Sequence, residues 1–171
     1  MAGEFKQEVA SVIPVLNEES TIIECLESLC NQSYPKDLHS IYLFDGGSSD
    51  STWQLISDFI ANKDPIYPEI SLHKNPGKYV AEARNLALEI IPSSVDYLLE
   101  IIGHCTIEKN HIESMIDVIN ELHQSSVKPV GALGVKVESR DGDLGLTESW
   151  IEAGLSSPLA SGSGQFSNFS G

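Results

Sequence analysis

The sequence is poor in basic residues. It has 10 Lys and Arg against 25 Asp and Glu, a formal net charge of −15 over 171 residues, and the basic residues form no dense cluster. Binding to nucleic acid or to an anionic membrane surface depends on clustered Lys and Arg. The composition therefore argues against a nucleic-acid partner and a polybasic membrane anchor. The same acidity would repel an anionic ligand at long range, so a phosphorylated substrate would need local donors or a metal.

Cysteine and long apolar runs are also scarce. Cys25, Cys30 and Cys105 form no CxxC pair and leave one cysteine unmatched, which argues against a disulfide framework and a zinc knuckle. The first six residues are short and polar, and no apolar run approaches the ~20 residues that span a bilayer. We expect a cytoplasmic protein, either free or peripheral at the inner face of the membrane.

Three common nucleotide and hydrolase motifs are missing. The chain contains no GxGxxG, no GxxxxGK[ST] and no GxSxG, which disfavours a dinucleotide fold, a P-loop and a serine hydrolase. Phosphate recognition would therefore depend on Lys78, Arg84, the amino ends of helices or a metal.

Strand-like and helix-like segments alternate along the chain. Apolar patterns predict strands over 9–16, 39–44, 69–73, 97–102 and 130–137, and helices from Glu18, from the 48–52 cluster, from near Tyr79 and from Ile112. Such alternation predicts an α/β, Rossmann-like fold: a mostly parallel, doubly wound sheet with helices on both faces. We expect one α/β domain over 1–139. Residues 140–171 form a separate region that we expect to be poorly ordered, and its Ser- and Gly-rich tail, 156–171, lacks the apolar content to fold alone.

Polar residues follow three of these strands. Asn17 and Glu18 follow the first strand, Asp45 the second and His104 the fourth, and ligands of parallel sheets bind beyond such strand ends. Each residue also has a structural alternative. Asn17 is the expected cap of the first helix, Asp45 can accept hydrogen bonds from the amides of its own turn, and His104 can be a simple loop or core histidine.

Four segments resemble a known family. Residues 12–19 (VIPVLNEE) and 44–52 (FDGGSSDST) resemble, in order and spacing, the inverting family 2 glycosyltransferases with a GT-A fold. Gly77 with Ala83-Arg84-Asn85, and then residues 97–104, fall where that family places its pyrophosphate contact and its metal-binding strand. Residues 102–105 and 154–164 look most like the branch that resembles succinoglycan biosynthesis transferases, which implies a role in exopolysaccharide synthesis.

The resemblance implies a nucleoside diphosphate sugar, most often a uridine one, bound along the strand ends. The residues that it assigns to the nucleotide are Pro14, Leu16, Asn17, Glu18, Asp45, Gly46, Lys78 and Arg84. Gly46 stands where many members carry a second Asp. The resemblance also implies Mg²⁺ or Mn²⁺ on the diphosphate, with His104 as a ligand, but Ile102 replaces the Asp of the related branch. That change removes one carboxylate from the expected metal site.

The resemblance covers the donor-binding half of such an enzyme. In this family the catalytic base lies beyond Gly171, so no catalytic residue is assigned and we expect these 171 residues to be inactive alone. The parent enzyme would transfer a sugar to a polysaccharide or lipid-linked acceptor with inversion. The alternative is a non-catalytic nucleotide-binding or assembly module. A nucleotidyltransferase is disfavoured, because its first loop would need Gly, Arg and Lys. Apolar surface exposed by the missing half would favour a homo-oligomer.

Overall fold

The computed structural model describes residues 7–125 and 130–135. Four strands alternate with four α-helices over the first of these ranges. The elements are β1 (Val9–Val15), α1 (Ile22–Cys30), β2 (His39–Asp45), α2 (Thr52–Asn62), β3 (Glu69–Lys74), α3 (Val80–Ile90), β4 (Tyr97–Glu100) and α4 (His111–Ser125). The alternation predicted from the sequence is therefore observed as far as α4.

All four strands are parallel, in the order β3-β2-β1-β4. Val9 of β1 lies opposite His39 on one side and Tyr97 on the other, so β1 is central. Strands β2 and β3 lie on one side of β1, and β4 lies on the other side. The gap between the carboxyl ends of β1 and β4 is thus the topological switch point, where sheets of this class bind ligands.

Alternate side chains of β1 contribute to cores on opposite faces of the sheet. Ile13 and Val15 pack in a cluster with α1 and α2, which includes Leu26 and Ile56. Val12 packs on the other side against Phe44 and two alanines of α3, Ala83 and Ala87. Helix α4 joins the first face, where Ile112 and Ile116 cluster with Val9. A central strand buried on both faces is expected to be largely apolar, and Ser11 is the only polar residue of β1.

Three predicted elements differ from the structure, and one of them is β4, which ends at Glu100 and not at Ile102. Helix α1 begins at Ile22 and not at Glu18, because residues 19–21 form a turn. The prediction of a fifth strand over 130–137 was wrong in its described part, because residues 130–135 carry no regular secondary structure. Gly131 and Gly134 explain this, since glycine in a strand costs backbone entropy and offers no side chain to pack.

The chain beyond residue 135 lies outside the described residues, so the domain boundary at 139/140 stays a prediction. Among residues 7–125 and 130–135, no helix is long and apolar enough to cross a membrane.

Candidate functional site

Reciprocal hydrogen bonds join the loops that follow β1 and β2. The main-chain nitrogen of Asn17 donates to Ser48 Oγ at 3.0 Å, and Asn17 Oδ1 accepts from the main-chain nitrogen of Ser49 at 2.8 Å. The main-chain nitrogen of Glu18 donates to Thr52 Oγ1 at 2.7 Å. The polar cluster at 48–52 thus holds the first loop in place.

Asn17 is not the cap of α1, and that prediction was wrong. It lies four residues before the cap position, Thr21, and adopts a left-handed backbone with φ of 57°. Asn tolerates this conformation better than most residues do. Its side chain is therefore free of the helix and bonds across to the second loop.

Asp50 fixes the other end of the second loop. Its carboxylate accepts hydrogen bonds from the main-chain nitrogens of Thr52 and Glu19. Desolvation opposes the charge of Asp50, but these hydrogen bonds, led by those of Thr52, outweigh it and lower the pKa of the carboxyl.

Asp45 is buried at the end of β2 and bonds to its own turn. Its carboxylate accepts from the main-chain nitrogens of Gly47 at 2.9 Å and Ser48 at 3.1 Å, and from Ser48 Oγ at 2.5 Å. Only 5% of Asp45 is exposed. The structural alternative considered for Asp45, a carboxylate that holds its own turn, is what the structure shows.

The loops after β2 and β3 enclose a cleft of about 490 Å³. It is lined by Asp45, Gly46, Gly47, Ser48, Trp53, Lys74, Asn75, Pro76 and Lys78. Gly46 permits this close approach, since a Cβ atom there would lie 2.8 Å from the carbonyl oxygen of Lys78. Lys78 itself has a left-handed backbone with φ of 66°.

Six residues that line the cleft were not identified from the sequence as site residues: Gly47, Ser48, Trp53, Lys74, Asn75 and Pro76. The ammonium of Lys74 lies 5.7 Å from the ring centroid of Trp53, a cation–π distance. Asn75 is 3% exposed, and its Oδ1 has no hydrogen-bond partner. The sequence of residues 75–77 predicts a turn after a strand. The polar side chain of Asn75 in that turn was the one available indication of a site residue.

Glu18 and His104 meet at the switch point between β1 and β4. Nδ1 of His104 lies 2.9 Å from Glu18 Oε1, and Thr21 Oγ1 donates to Glu18 Oε2 at 3.1 Å. Gly103 allows the contact, because a Cβ atom there would lie 2.9 Å from Glu18 Cγ. The negative charge of Glu18 also contributes, after burial, to raising the pKa of Cys105.

No group of three or more metal-ligating side chains occurs in the described part of the chain. The switch point offers two donors, a carboxylate from Glu18 and an imidazole from His104. Ile102 is 40% exposed and provides no ligand. Two donors suit an ion that takes its remaining ligands from substrate phosphates and water.

Arg84 is paired on the protein surface. Its Nε and Nη2 atoms donate to the two carboxylate oxygens of Glu100, both at 2.6 Å. This hydrogen-bonded pairing raises the pKa of Arg84. Arg84 therefore forms an ion pair on the protein surface.

The two apolar candidates of the first loop have different environments. Pro14 is half-buried within β1, opposite Phe44, whereas Leu16 is 45% exposed just beyond the strand. Leu16 is therefore available to a ligand and is not a core residue.

A second cleft, of about 460 Å³, is lined by residues that include Lys36 and Tyr67. These residues precede β2 and β3, so this cleft lies at the amino edge of the sheet. The residues singled out from the sequence lie at the opposite edge.

Comparison with known proteins identifies the family. Residues 11–143 match the family model described as glycosyl transferase family 2. The chain belongs to glycosyl transferase family 2. The α/β, GT-A-type fold predicted for this family 2 member is confirmed by the parallel sheet and by the solved structures that it resembles.

Curated relatives are longer than this family 2 chain. It is 27% identical over 127 residues to a dolichyl N-acetyl-alpha-D-glucosaminyl phosphate 3-beta-D-2,3-diacetamido-2,3-dideoxy-beta-D-glucuronosyltransferase of Methanococcus voltae, covering 74% of this chain and 38% of that protein. It is 31% identical over 113 residues to glycosyltransferase AglE of Haloferax volcanii, covering 66% of this chain and 35% of that protein. The chain thus spans well under half the length of these relatives.

Solved structures of S. aureus TarS resemble the chain. The complex of TarS 1-349 with UDP-GlcNAc superposes with a TM-score of 0.56 at 25% identity, covering 77% of this chain and 37% of that one. The complex with UDP has the same TM-score and identity and covers 38% of that chain.

Proposed function

We propose that this chain is the donor-binding part of a family 2 glycosyltransferase and that it binds a uridine diphosphate sugar. The observation that carries the proposal is the convergence of the loops after β1, β2, β3 and β4 at one edge of the sheet, around the 490 Å³ cleft and the switch point. The similarity to a protein solved with UDP-GlcNAc supports the choice of a uridine nucleotide.

The nucleoside would occupy the cleft beside β2. Asp45 and Gly46 form its wall, with the carboxylate of Asp45 fixing the turn through three hydrogen bonds. Asn17 and Glu18 bond to the loop that follows this wall, and Pro14 and Leu16, at the end of β1, would contact the nucleoside. Lys78 lines the same cleft, and its ammonium would offset phosphate charge.

The diphosphate would extend from this cleft toward β1 and β4. Arg84 would bind it as a bidentate donor after leaving Glu100, since guanidinium suits phosphate oxygens as well as it suits a carboxylate. Glu100 therefore competes with the diphosphate for Arg84.

A divalent metal would bind with the diphosphate at Glu18 and His104. This carboxylate and imidazole fit Mn²⁺ better than Mg²⁺, which prefers oxygen ligands alone. When bound, the ion would neutralise charge on the departing diphosphate. The residues of this chain contribute by holding the nucleotide and by fixing the two metal ligands against Gly103.

The complete reaction needs parts that the described residues do not provide. We infer that a longer protein supplies the catalytic base and binds a polysaccharide or lipid-linked acceptor, with direct displacement and inversion. We propose that the 171 residues alone turn over no donor. Three further expectations stay predictions: a role in exopolysaccharide synthesis, action in the cytoplasm, and assembly into a homo-oligomer.

Titration calorimetry with uridine diphosphate and Mn²⁺ tests the proposal on the 171-residue chain. We expect binding in the micromolar to millimolar range, weakened in the absence of Mn²⁺. Adenosine monophosphate serves as the control, because it lacks both the uracil and the diphosphate. Absence of heat with uridine diphosphate, in protein shown to be folded by circular dichroism, would contradict the proposal.

The second candidate is a non-catalytic binding or assembly module. Ile102 favours it, because an apolar side chain stands where the related branch carries a carboxylate. The two candidates differ in the longer protein. Release of uridine diphosphate from a donor sugar by that protein indicates an enzyme, and binding without release indicates the module.

A further inference from the structure

We propose that the second cleft, at the amino edge of the sheet, binds a phosphate monoester through the ammonium groups of Lys36 and Lys109. This amino-edge cleft is the one of about 460 Å³ whose lining includes Lys36, Tyr67 and Lys109. It lies at the opposite edge of the sheet from the proposed uridine nucleotide, and the inference does not depend on that nucleotide.

The amino-edge cleft is positively charged in a strongly acidic chain. The sequence has 25 Asp and Glu against 10 Lys and Arg. The described residues that line the cleft nevertheless include two lysines and no Asp or Glu. Burial raises the pKa of Cys30, another lining residue, to about 11, and among the charges that act on its thiol those of Lys36 and Lys63 come before that of Glu27. The local charge thus favours an anionic ligand.

The ammonium group of Lys36 is fixed at the wall of the cleft. Its Nζ donates to the carbonyl oxygen of Cys30 and, at 2.8 Å, to that of Gln32. Both of these residues also line the cleft. Because an ammonium group has three N–H donors, one remains for a ligand. A charge that is already held in position loses little freedom when the ligand binds.

Donors from the protein itself offset the negative end of α1. The carbonyl oxygen of Glu27 accepts from the main-chain nitrogen of Asn31 at 3.0 Å and from its Nδ2 at 2.8 Å. The carbonyl oxygen of Ser28 accepts from Gln32 Nε2 at 3.0 Å. Lys36 brings a full positive charge to the same helix end. The helix terminus, which would otherwise repel an anion, is therefore neutralised before a ligand arrives.

Lys36 and Lys109 lack a partner of opposite charge. In the part of the chain that the structure describes, neither lysine forms an ion pair with a carboxylate. Burial lowers the pKa of Lys36, and the positive charge of Lys109 acts in the same direction. Two neighbouring ammonium groups match a phosphate monoester, which carries about two negative charges near neutral pH. A single carboxylate would offset only one of them.

The rest of the cleft suits the organic group of an ester. Its volume of about 460 Å³ is typical of small-molecule sites and exceeds what a bare phosphate ion would fill. Ile66, Tyr67 and Ile107 contribute apolar surface to the lining. The ring of Tyr67 stacks on Phe59, with 6.4 Å between the ring centroids, so its position is fixed. The ligand is therefore a phosphate monoester with an apolar or aromatic organic group.

A free ester and the head group of phosphatidic acid share this chemistry. The formal net charge of −15 favours the free ester, because it would repel the chain from an anionic membrane.

Calorimetry with phenyl phosphate tests the inference on the 171-residue chain and its Lys109→Gln and Lys63→Gln variants, with phenol as the ligand that lacks the phosphate. Lys109 is exposed, so its replacement should leave the fold intact. Lys63→Gln is the matched control, because it removes the same charge near Cys30 from a residue that does not line the cleft. We expect Lys109→Gln to bind phenyl phosphate about three- to tenfold more weakly and Lys63→Gln to change the affinity less than about twofold.

A third variant separates the two clefts. Lys78 lines the cleft beside β2, so Lys78→Gln should leave the binding of phenyl phosphate unchanged, and Lys109→Gln should leave that of uridine diphosphate unchanged. Weaker binding of phenyl phosphate by Lys78→Gln and not by Lys109→Gln would place the anion in the other cleft and overturn the inference. Equal affinity of the unchanged chain and Lys109→Gln would also overturn it, while the proposed function would stand.

Sedimentation with phosphatidylcholine vesicles, with and without phosphatidic acid, identifies the source of the phosphate. We expect the unchanged chain to bind neither vesicle. Binding to the phosphatidic acid vesicles that is lost in Lys109→Gln would support the phosphate site and assign it to a lipid head group. Binding to neither phenyl phosphate nor these vesicles would overturn the site.

Discussion

The imidazole of His104 lies 2.9 Å from the carboxylate of Glu18, across the gap between β4 and β1. The two residues are 86 positions apart in the chain and meet because both strands run parallel and end at the same edge. Their contact marks the switch point of the sheet, and it depends on the absence of a side chain at Gly103.

Gly103→Ala is expected to separate Glu18 from His104. The new Cβ atom would lie 2.9 Å from Glu18 Cγ and 3.2 Å from Val15 Cγ1, so the carboxylate must move. We expect a loss of about 1–3 kcal/mol in the free energy of unfolding, measured with urea, and a loss of Mn²⁺-dependent nucleotide binding. Gly131→Ala is the control, since nothing lies within 4 Å of a Cβ atom there. Equal stability of the two variants would refute the crowding argument.

Asp45→Asn is expected to destabilise the turn after β2. The carboxylate accepts from three donors, and an amide would place its NH₂ group, itself a donor, against one of them. We expect a loss of about 1–3 kcal/mol in the free energy of unfolding, followed by denaturant titration, and weaker binding of uridine diphosphate. Ser48→Ala removes one of the three donors and should cost less. A fully stable Asp45→Asn would show that the turn does not need the charge.

Glu100→Gln is expected to release Arg84. Both side chains are exposed, at 57% and 38%, so loss of the pair should change the stability little. If the diphosphate competes with Glu100 for Arg84, uridine diphosphate should bind roughly two- to fivefold more tightly to Glu100→Gln. Arg84→Gln should bind it more weakly. Unchanged affinity in both variants would leave Arg84 as a surface ion pair with no role in binding.

Acid is expected to destabilise the protein through His39. Burial, and then the charge of Lys36, lower the pKa of this imidazole from 6.5 to about 4. In the unfolded chain, His39 therefore binds a proton below pH 6.5, whereas in the folded chain it stays neutral down to about pH 4. The free energy of unfolding falls as the pH drops from 6.5 to about 4. The loss amounts to about 3 kcal/mol when complete.

His39→Gln provides the measurement for this prediction. Urea titrations of both proteins at several pH values give the difference in their free energies of unfolding, which cancels the contribution of the carboxylates. We expect the unchanged chain to lose more stability than His39→Gln over this range. Parallel curves would show that His39 is not the group responsible. Because Nε2 of His39 lies 2.8 Å from Ser11 Oγ, the variant should also be less stable at pH 8.

The loops show where sequence reasoning reached its limit. The polar residues after β1, β2 and β4 were identified because strand ends can be read from apolar runs, and parallel strands bring those ends together. The partners of each residue could not be read in this way. Asn17 was expected to cap α1 by proximity in sequence, but its Oδ1 bonds to Ser49, 32 positions away. Asn75 was noticed only as part of a turn.

The sequence by itself determined the order of strands and helices as far as α4, the parallel sheet and the edge at which the polar loops meet, because these follow from hydrophobic periodicity and short connections. Tertiary structure alone decided which polar atoms are already bonded. The carboxylate of Asp45 is occupied by its own turn, Arg84 is held by Glu100, and Oδ1 of Asn75 has no donor. A hydrogen bond requires a donor–acceptor distance of about 3 Å, correct to within a few tenths of an ångström, and only the folded arrangement fixes such distances.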